Sequence, residues 1–281
     1  MKPCISEACT LSTSFADDVR AYHEGGCHAM EVWLTKLEKH LESHSAADTR
    51  TLLDDCGMTL TAASYQGGLL LSQGEQRRTH FDHFKRRLDL CQRFGIGTLL
   101  VAADFVDRVD QAAVERAVVS LVEAARWGQA FDVRLALEFH GRGSFCASVA
   151  TALALVGAAG EPNLGLCLDV FHYYTGPSKL DDLAALTPAN LFFVQVSDLA
   201  GIARELAQDR DRILPGEGDF HLPPIVAQLR RIGYDGWVSL ETPNPVLWQV
   251  KPAHLAELGI KALDRLLGTE KAGGTLHGGP A

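Results

Sequence analysis

An α/β fold closed into a single (β/α)8 TIM barrel is predicted by three observations on this 281-residue chain. Short apolar runs alternate with longer amphipathic stretches, the signature of a parallel sheet covered by helices. Eight such units can be counted, with no composition break to suggest a second domain. The length also suits a barrel, since α/β barrels run to about 250 residues as one unit. A doubly wound open sheet is the competing architecture. No G-x-G-x-x-G or Walker loop follows the first strand to support it.

The elements follow in order along the chain. Strands are expected at "CISEACT" (4–10), "AMEVWL" (29–34), "LTAASYQ" (60–66) and "TLLVAAD" (98–104), then at "RLALEFH" (134–140), "LGLCLDVFH" (164–172), "LFFVQVSDL" (191–199) and "GWVSLET" (236–242). Between them lie helical patterns. "FDHFKRRLDLCQRFG" places Phe81, Phe84, Leu88, Cys91 and Phe94 at three- and four-residue spacing, one face of a helix. "AAVERAVVSLVEAARWG" and "HLPPIVAQLRRIG" behave likewise. Gly25, Gly57, Gly95 and Gly233 each follow a helical run, as C-terminal caps do. The barrel is expected to occupy 1–269, and the glycine-rich tail "EKAGGTLHGGPA" at 270–281 is expected to be disordered.

Composition narrows the function classes. A net charge of −9 makes a nucleic-acid backbone a poor partner. No run approaches the roughly 18 apolar residues of a membrane span, and the start "MKPCISEACT" lacks a signal-peptide pattern. Seven scattered cysteines without a C-x-x-C pair read as free thiols of a reducing cytoplasm, so a cytoplasmic location is expected. Homo-oligomer formation is left open.

Chemistry in such a barrel collects at the C-terminal strand ends. Glu138 ends strand five, Asp169 and His172 follow strand six, Gln195 and Asp198 lie on strand seven, and Glu241 ends strand eight. Alternation on strand seven puts Phe193, Gln195 and Ser197 on one face and Phe192, Val194 and Val196 on the other. If the first face points inward, Gln195 lies among three carboxylates. Converging anions repel, and a buried amide without partners costs about 1–3 kcal/mol. A divalent cation resolves both difficulties. Glu138, Asp169, Gln195 and Glu241 then form an all-oxygen site suited to Mn2+ or Mg2+. Taken singly, a buried Glu or Asp at a strand end is more often a helix-capping or salt-bridged group; the four together carry the metal reading.

The ensemble resembles the xylose-isomerase-like TIM-barrel superfamily of sugar isomerases, epimerases and dehydratases. The features are Glu138 in "LALEFH", Asp169 and His172 in "LDVFH", "VQVSD" at 194–198, "RILPGEGDF" at 212–220 and "GYDGWVSLET" at 233–242. The resemblance implies one divalent metal held by Glu138, Asp169, Gln195 and Glu241. The third ligand is histidine in many epimerases and glutamine in hydroxypyruvate isomerase and 3-dehydroshikimate dehydratase relatives. Intervals of 31, 26 and 46 residues between the four positions look most like the dehydratase relatives. Two departures stand out. Ser144 occupies the place of a further glutamate usual in sugar 3-epimerases, and "AASYQGG" offers Tyr65 and Gln66 where dehydratase relatives often carry a histidine. The histidine-rich cluster of the DNA-repair endonuclease branch is not found.

The chemistry so implied is removal of a proton next to a carbonyl, with a metal-stabilised enediolate, in a small carbohydrate or keto-polyol. An isomerase or epimerase is the leading expectation. A lyase of the same fold (dehydroshikimate- or inosose-dehydratase-like, or eliminating from a 3-keto sugar) shares the first step, and a non-catalytic metal- or sugar-binding barrel is the third reading. Glu138 and Glu241 are assigned as ligands that double as the acid/base pair, and His172 as hydrogen-bond donor or general acid in the loop beyond strand six. Arg212 either holds the substrate or forms a salt bridge to Asp209 or Asp198. Gly216 and Gly218 allow a turn whose amides could face an anion. Asp198, His140 and Trp33 are further substrate-pocket candidates, with Asp104, Glu7 and Trp248 of lower rank.

Overall fold

The computed structural model describes residues 1–105 and 107–269. The tail expected at 270–281 lies outside the described residues.

Eight parallel strands close in sequence order: β1 (Lys2–Ser6), β2 (Ala29–Trp33), β3 (Thr59–Gln66), β4 (Thr98–Ala102), β5 (Arg134–Glu138), β6 (Leu164–Asp169), β7 (Leu191–Val196) and β8 (Trp237–Leu240). Closure is made by β1 against β8, with Lys2 opposite Trp237 and Ile5 opposite Leu240. The helices are α1 (Phe15–Glu24), α2 (Leu34–Leu41), α3 (Ala46–Asp55), α4 (Gly74–Phe94), α5 (Gln111–Ala130), α6 (Val149–Ala159), α7 (Val170–Thr175), α8 (Pro223–Arg231) and α9 (Pro252–Leu267). Thus all eight expected strands form, and the barrel replaces the open-sheet alternative. The first strand is shorter than its apolar run, because residues 7–10 turn into a 3-10 helix capped by the Ser6 hydroxyl.

Alternation divides each strand between two environments. Outward side chains such as Ile5, Met30, Val32, Leu99, Leu137, Leu168, Val194 and Leu240 join the helices in the main core. Inward ones (Cys4, Ala29, Ala62, Leu100, Ala136, Cys167 and Phe193) form a separate plug inside the barrel. Small residues dominate that plug, and two aromatic rings fill what they leave.

One inward ring departs from the expected alternation. The register between β6 and β7 shifts after Leu166, so Leu191 faces Leu166 while Phe193 faces Cys167. Phe192 is the extra residue, and the bulge turns it to the inner cluster rather than to the helices. Gly165 makes room, since a Cβ there would lie 2.8 Å from the Phe192 ring. Arg134 stacks on that ring at 4.9 Å and Lys2 on Trp237 at 5.4 Å, closing the N-terminal end of the barrel. The same parity places Glu31, Glu138, Asp169, Gln195 and Glu241 inward at the opposite end.

Candidate active site

At that C-terminal end a cavity of about 610 Å3 opens to the surface. Its wall is two-sided. Glu138, His140, His172, Asp209, Arg212 and Glu241 supply polar and charged groups from the β5–β8 half, while Ala8, Trp33, Tyr65, Ala103 and Phe105 supply mostly apolar surface from the β1–β4 half, with Asp104 among them. Trp33 and Tyr65 meet edge to face, with ring centroids 5.3 Å apart.

Asp169 ends β6 and starts α7. Its Oδ1 accepts from the Phe171 amide at 2.8 Å, an N-cap bond. Its Oδ2 turns into the site, 2.8 Å from Arg212 Nη2 and 3.6 Å from His172 Nε2, and it is buried without an aligned hydrogen bond. The cap explains where His172 goes. It lies in the helix α7, not in a loop, and its Nε2 comes within 3.9 Å of Glu138 Oε1. Glu138, Asp169 and His172 together could hold a metal ion, each offering an atom within 4.8 Å of the others. His140 packs on the His172 ring at 4.0 Å.

Arg212 settles one alternative left open by the sequence. Its Nη1 donates to Glu241 Oε2 at 2.9 Å and its Nη2 to Asp209 Oδ1 at 2.6 Å, while the guanidinium covers the Phe171 ring at 4.3 Å. The salt bridge to Asp209 forms, and the one to Asp198 does not. Asp198 is a correction. It is buried away from the cavity and accepts from the amides of Leu199, Gly216 and Phe220, each at 2.9 Å. It ties down the loop that presents Arg212. The Gly216 amide does face an anion, but that anion is this carboxylate. Trp248 is also not on the cavity wall, and its Nε1 donates to the Ala8 carbonyl at 3.2 Å.

Gln195 is fully buried, as the inward parity requires. Its Nε2 donates to Glu31 Oε1 at 2.9 Å, and its Oε1 accepts from the Cys167 thiol at 3.2 Å. Glu31 is the residue that sequence reasoning missed. It lies on β2 with no exposure, takes a hydrogen bond from Ser239 Oγ at 2.6 Å, and takes another from Ser64 Oγ. The sequence offers Asp209 only as a salt-bridge partner, yet it also lines the cavity.

Three carboxylates (Asp169, Asp209 and Glu241) therefore pair with the Arg212 guanidinium, and Glu138 and Glu31 lie in the same acidic cluster. Burial pushes Glu138 well above the usual carboxylate range, and Asp169 adds to the rise. Burial also raises Glu241, against the pull of Arg212. Glu31 is raised by burial, with its three hydrogen bonds opposing. Burial brings His172 down to about 4, so the imidazole is neutral near pH 7. At Asp209 burial is outweighed by the Arg212 charge, and the carboxyl falls to about 2. This arrangement is a buried, carboxylate-rich floor under a partly apolar wall. It suits proton transfer beside a polarised carbonyl and leaves a surplus of anionic oxygen that a cation would balance.

Comparison with known proteins agrees with this architecture. The model of the xylose isomerase-like TIM barrel family matches residues 19–266. The chain belongs to that family. Among its relatives, inosose isomerase of Bacillus velezensis is 24% identical over 255 residues, covering 89% of this chain and 91% of the relative. The 3-dehydroshikimate dehydratase of Pseudomonas aeruginosa is 27% identical over 84% of this chain, which spans only 37% of that longer protein. A crystal structure of the IolI protein with a bound zinc atom superposes with a TM-score of 0.89 at 21% identity, over 97% of this chain and 100% of the other. The two curated relatives bear the names of enzymes, an isomerase and a dehydratase. Among the described residues, no helix is long and apolar enough to cross a membrane.

Proposed function

We propose that this protein is a divalent-metal-dependent isomerase or epimerase of a carbohydrate or keto-polyol, working by proton removal next to a carbonyl. The observation that carries the reading is the convergence of Glu138, Asp169 and His172 on one point beside the cavity, with Glu241 on the cavity wall and tied to Asp169 through Arg212. Full-length similarity to inosose isomerases supports the substrate class.

The residues fit a metal. Asp169 Oδ2 is buried with an ion pair to Arg212 but no aligned hydrogen bond, and the carboxylates outnumber the nearby guanidinium. Glu138, Asp169 and Glu241 would hold the ion with His172 beside them. Gln195 would join through its oxygen, which accepts only from Cys167 and keeps a second lone pair. Such an ion, Mn2+ or Mg2+ on the oxygen-rich donor set, supplies Lewis-acid polarisation of the carbonyl.

The protein's own residues do the rest. Glu138, held uncharged more readily than a free carboxyl, exchanges a proton with the substrate carbon from the β5 side. Glu241 faces it from the end of β8, on the cavity wall, with Oε2 held by Arg212. His172, being neutral, orients a substrate hydroxyl rather than acting as a cationic acid. The apolar side with Trp33 takes the carbon face of the substrate ring, and His140 and Arg212 take its hydroxyls.

A lyase reading stands second. It is favoured by the dehydratase relative and shares the first step, diverging only when a β-substituent leaves. The test is solvent exchange with product analysis. In D2O with Mn2+, an inosose, a keto sugar or dehydroshikimate should exchange its α-hydrogen or be converted. An isomer of equal mass supports the leading reading, and loss of water or an alcohol moves the assignment to lyase. Glu138→Gln should lower either rate by about 10²–10⁴-fold. Metal bound with neither exchange nor product would leave a binding barrel.

A further inference from the structure

Glu31 is a buried carboxylate to which the proposed chemistry assigns no part. It sits on β2, diametrically removed in sequence from the β5–β8 cluster, yet three strands aim donors at it. Ser64 on β3 and Ser239 on β8 donate through their hydroxyls, and Gln195 on β7 donates through its amide nitrogen at 2.9 Å. Because a carboxylate at this contact accepts, the amide must present N–H to it, and its oxygen is turned the other way. That oxygen has one partner, the Cys167 thiol at 3.2 Å.

We propose that Glu31 is a positioning residue that makes Gln195 a usable cation ligand. The inference rests on the metal reading above. An amide is nearly symmetric in shape, so packing alone does not choose which end faces the cluster. The Glu31 contact chooses, at the cost of burying a carboxylate. The same contact draws charge from N–H toward the carbonyl, which makes the oxygen a better donor. It is the logic by which a metal-bound histidine is oriented by a carboxylate on its other nitrogen, with the amide in place of the ring. Ser64 and Ser239 in turn hold Glu31, so the device spans four strands. It also accounts for glutamine at this place, since a carboxylate here would face Glu31 with like charge.

The test is Mn2+ affinity of the folded protein, read by calorimetry without substrate. Glu31→Gln keeps the size of the side chain but allows either amide end to face Gln195. It should weaken Mn2+ binding about 10–100-fold, the usual cost of losing a residue that orients a ligand. In a Gln195→Ala background the same Glu31→Gln change should cost less than about 3-fold, since there is no amide left to orient. A role limited to folding would lower affinity equally in both backgrounds and would overturn the proposal. If Glu31→Gln does not fold, Ser239→Ala replaces it, with a smaller loss expected that again vanishes without Gln195. A wild-type protein that binds no Mn2+ removes the metal reading and this inference together. Wild-type binding that Glu31→Gln leaves unchanged removes this inference alone.

Discussion

Removing the Arg212 guanidinium would leave Asp169 and Glu241 facing each other across the cavity floor with no counter-charge. Its contacts at 2.8 and 2.9 Å are buried, and only 2% of the side chain is exposed. Breaking one partner of a buried pair costs about 3–5 kcal/mol. In metal-free protein, Arg212→Gln should therefore lower the unfolding free energy by an amount of that order, read as a fall in the urea midpoint at unchanged slope. Arg212→Lys should recover only part of it, because a single ammonium cannot reproduce the fork between two carboxylates. Equal midpoints for wild type and Arg212→Gln would mean that the carboxylates neutralise themselves by taking up protons. At this scale the sequence was legible where a residue's role depends on its own strand. Glu138, Asp169, Gln195 and Glu241 all point inward because parity fixes them. It was not legible where the role depends on a distant partner. Gln195 takes its orientation from Glu31, 164 positions away. Asp198 departs from the pocket position its strand suggests because its partners are loop amides at 216 and 220, whose positions no local pattern reveals. Glu31 itself was readable, since a carboxylate inside "AMEVW" raises the same question as the amide inside "LFFVQV".

Between elements, backbone approach decides what composition does not. The glycine pair after α1 shows this. Gly25 was expected as the helix cap, and it does end α1, but the left-handed residue is Gly26, with φ of 80°. Gly25 has another task. A Cβ there would strike the Ala253 carbonyl and lie 2.7 Å from the Ala256 Cβ, where α9 packs on α1. Around Gly26 there is open space. Gly26→Ala should thus cost only the left-handed strain, about 1 kcal/mol. Gly25→Ala should cost more, about 1–3 kcal/mol, because the start of α9 must shift. Equal losses in thermal melts, or a larger one at Gly26, would contradict the packing argument. The same limit explains the Phe192 bulge. Eight strands were visible as apolar runs, but a register shift depends on the neighbouring strand, and strand seven shows no trace of Gly165 across from it.

For the molecule as a whole, burial of thiols links stability to alkaline pH. All seven cysteines are buried and unpaired. Burial pushes Cys9, Cys91 and Cys146 up to about 12 and Cys27 up to about 11, and it holds Cys4 and Cys167 well above the ordinary thiol value. An unfolded thiol ionises near pH 8.5. Between about 8.5 and 12 the unfolded chain therefore releases protons that the folded chain keeps, and stability falls as pH rises through that window. Below it the contribution is complete and flat. The buried phenol of Tyr22, also raised by burial, acts in the same direction. The expected result is a thermal midpoint that is level through pH 7–8.5 and declines progressively toward pH 11. Labelling offers an independent check, because these six thiols sit in different elements around the barrel. Their reaction with a disulfide reagent should follow the denaturant dependence of global unfolding. Rapid reaction in native buffer is then restricted to Cys56, 8% exposed just beyond α3. Two or more thiols reacting fast without denaturant, together with a flat midpoint up to pH 11, would mean that the barrel opens locally and that these thiols are solvated in its ordinary fluctuations.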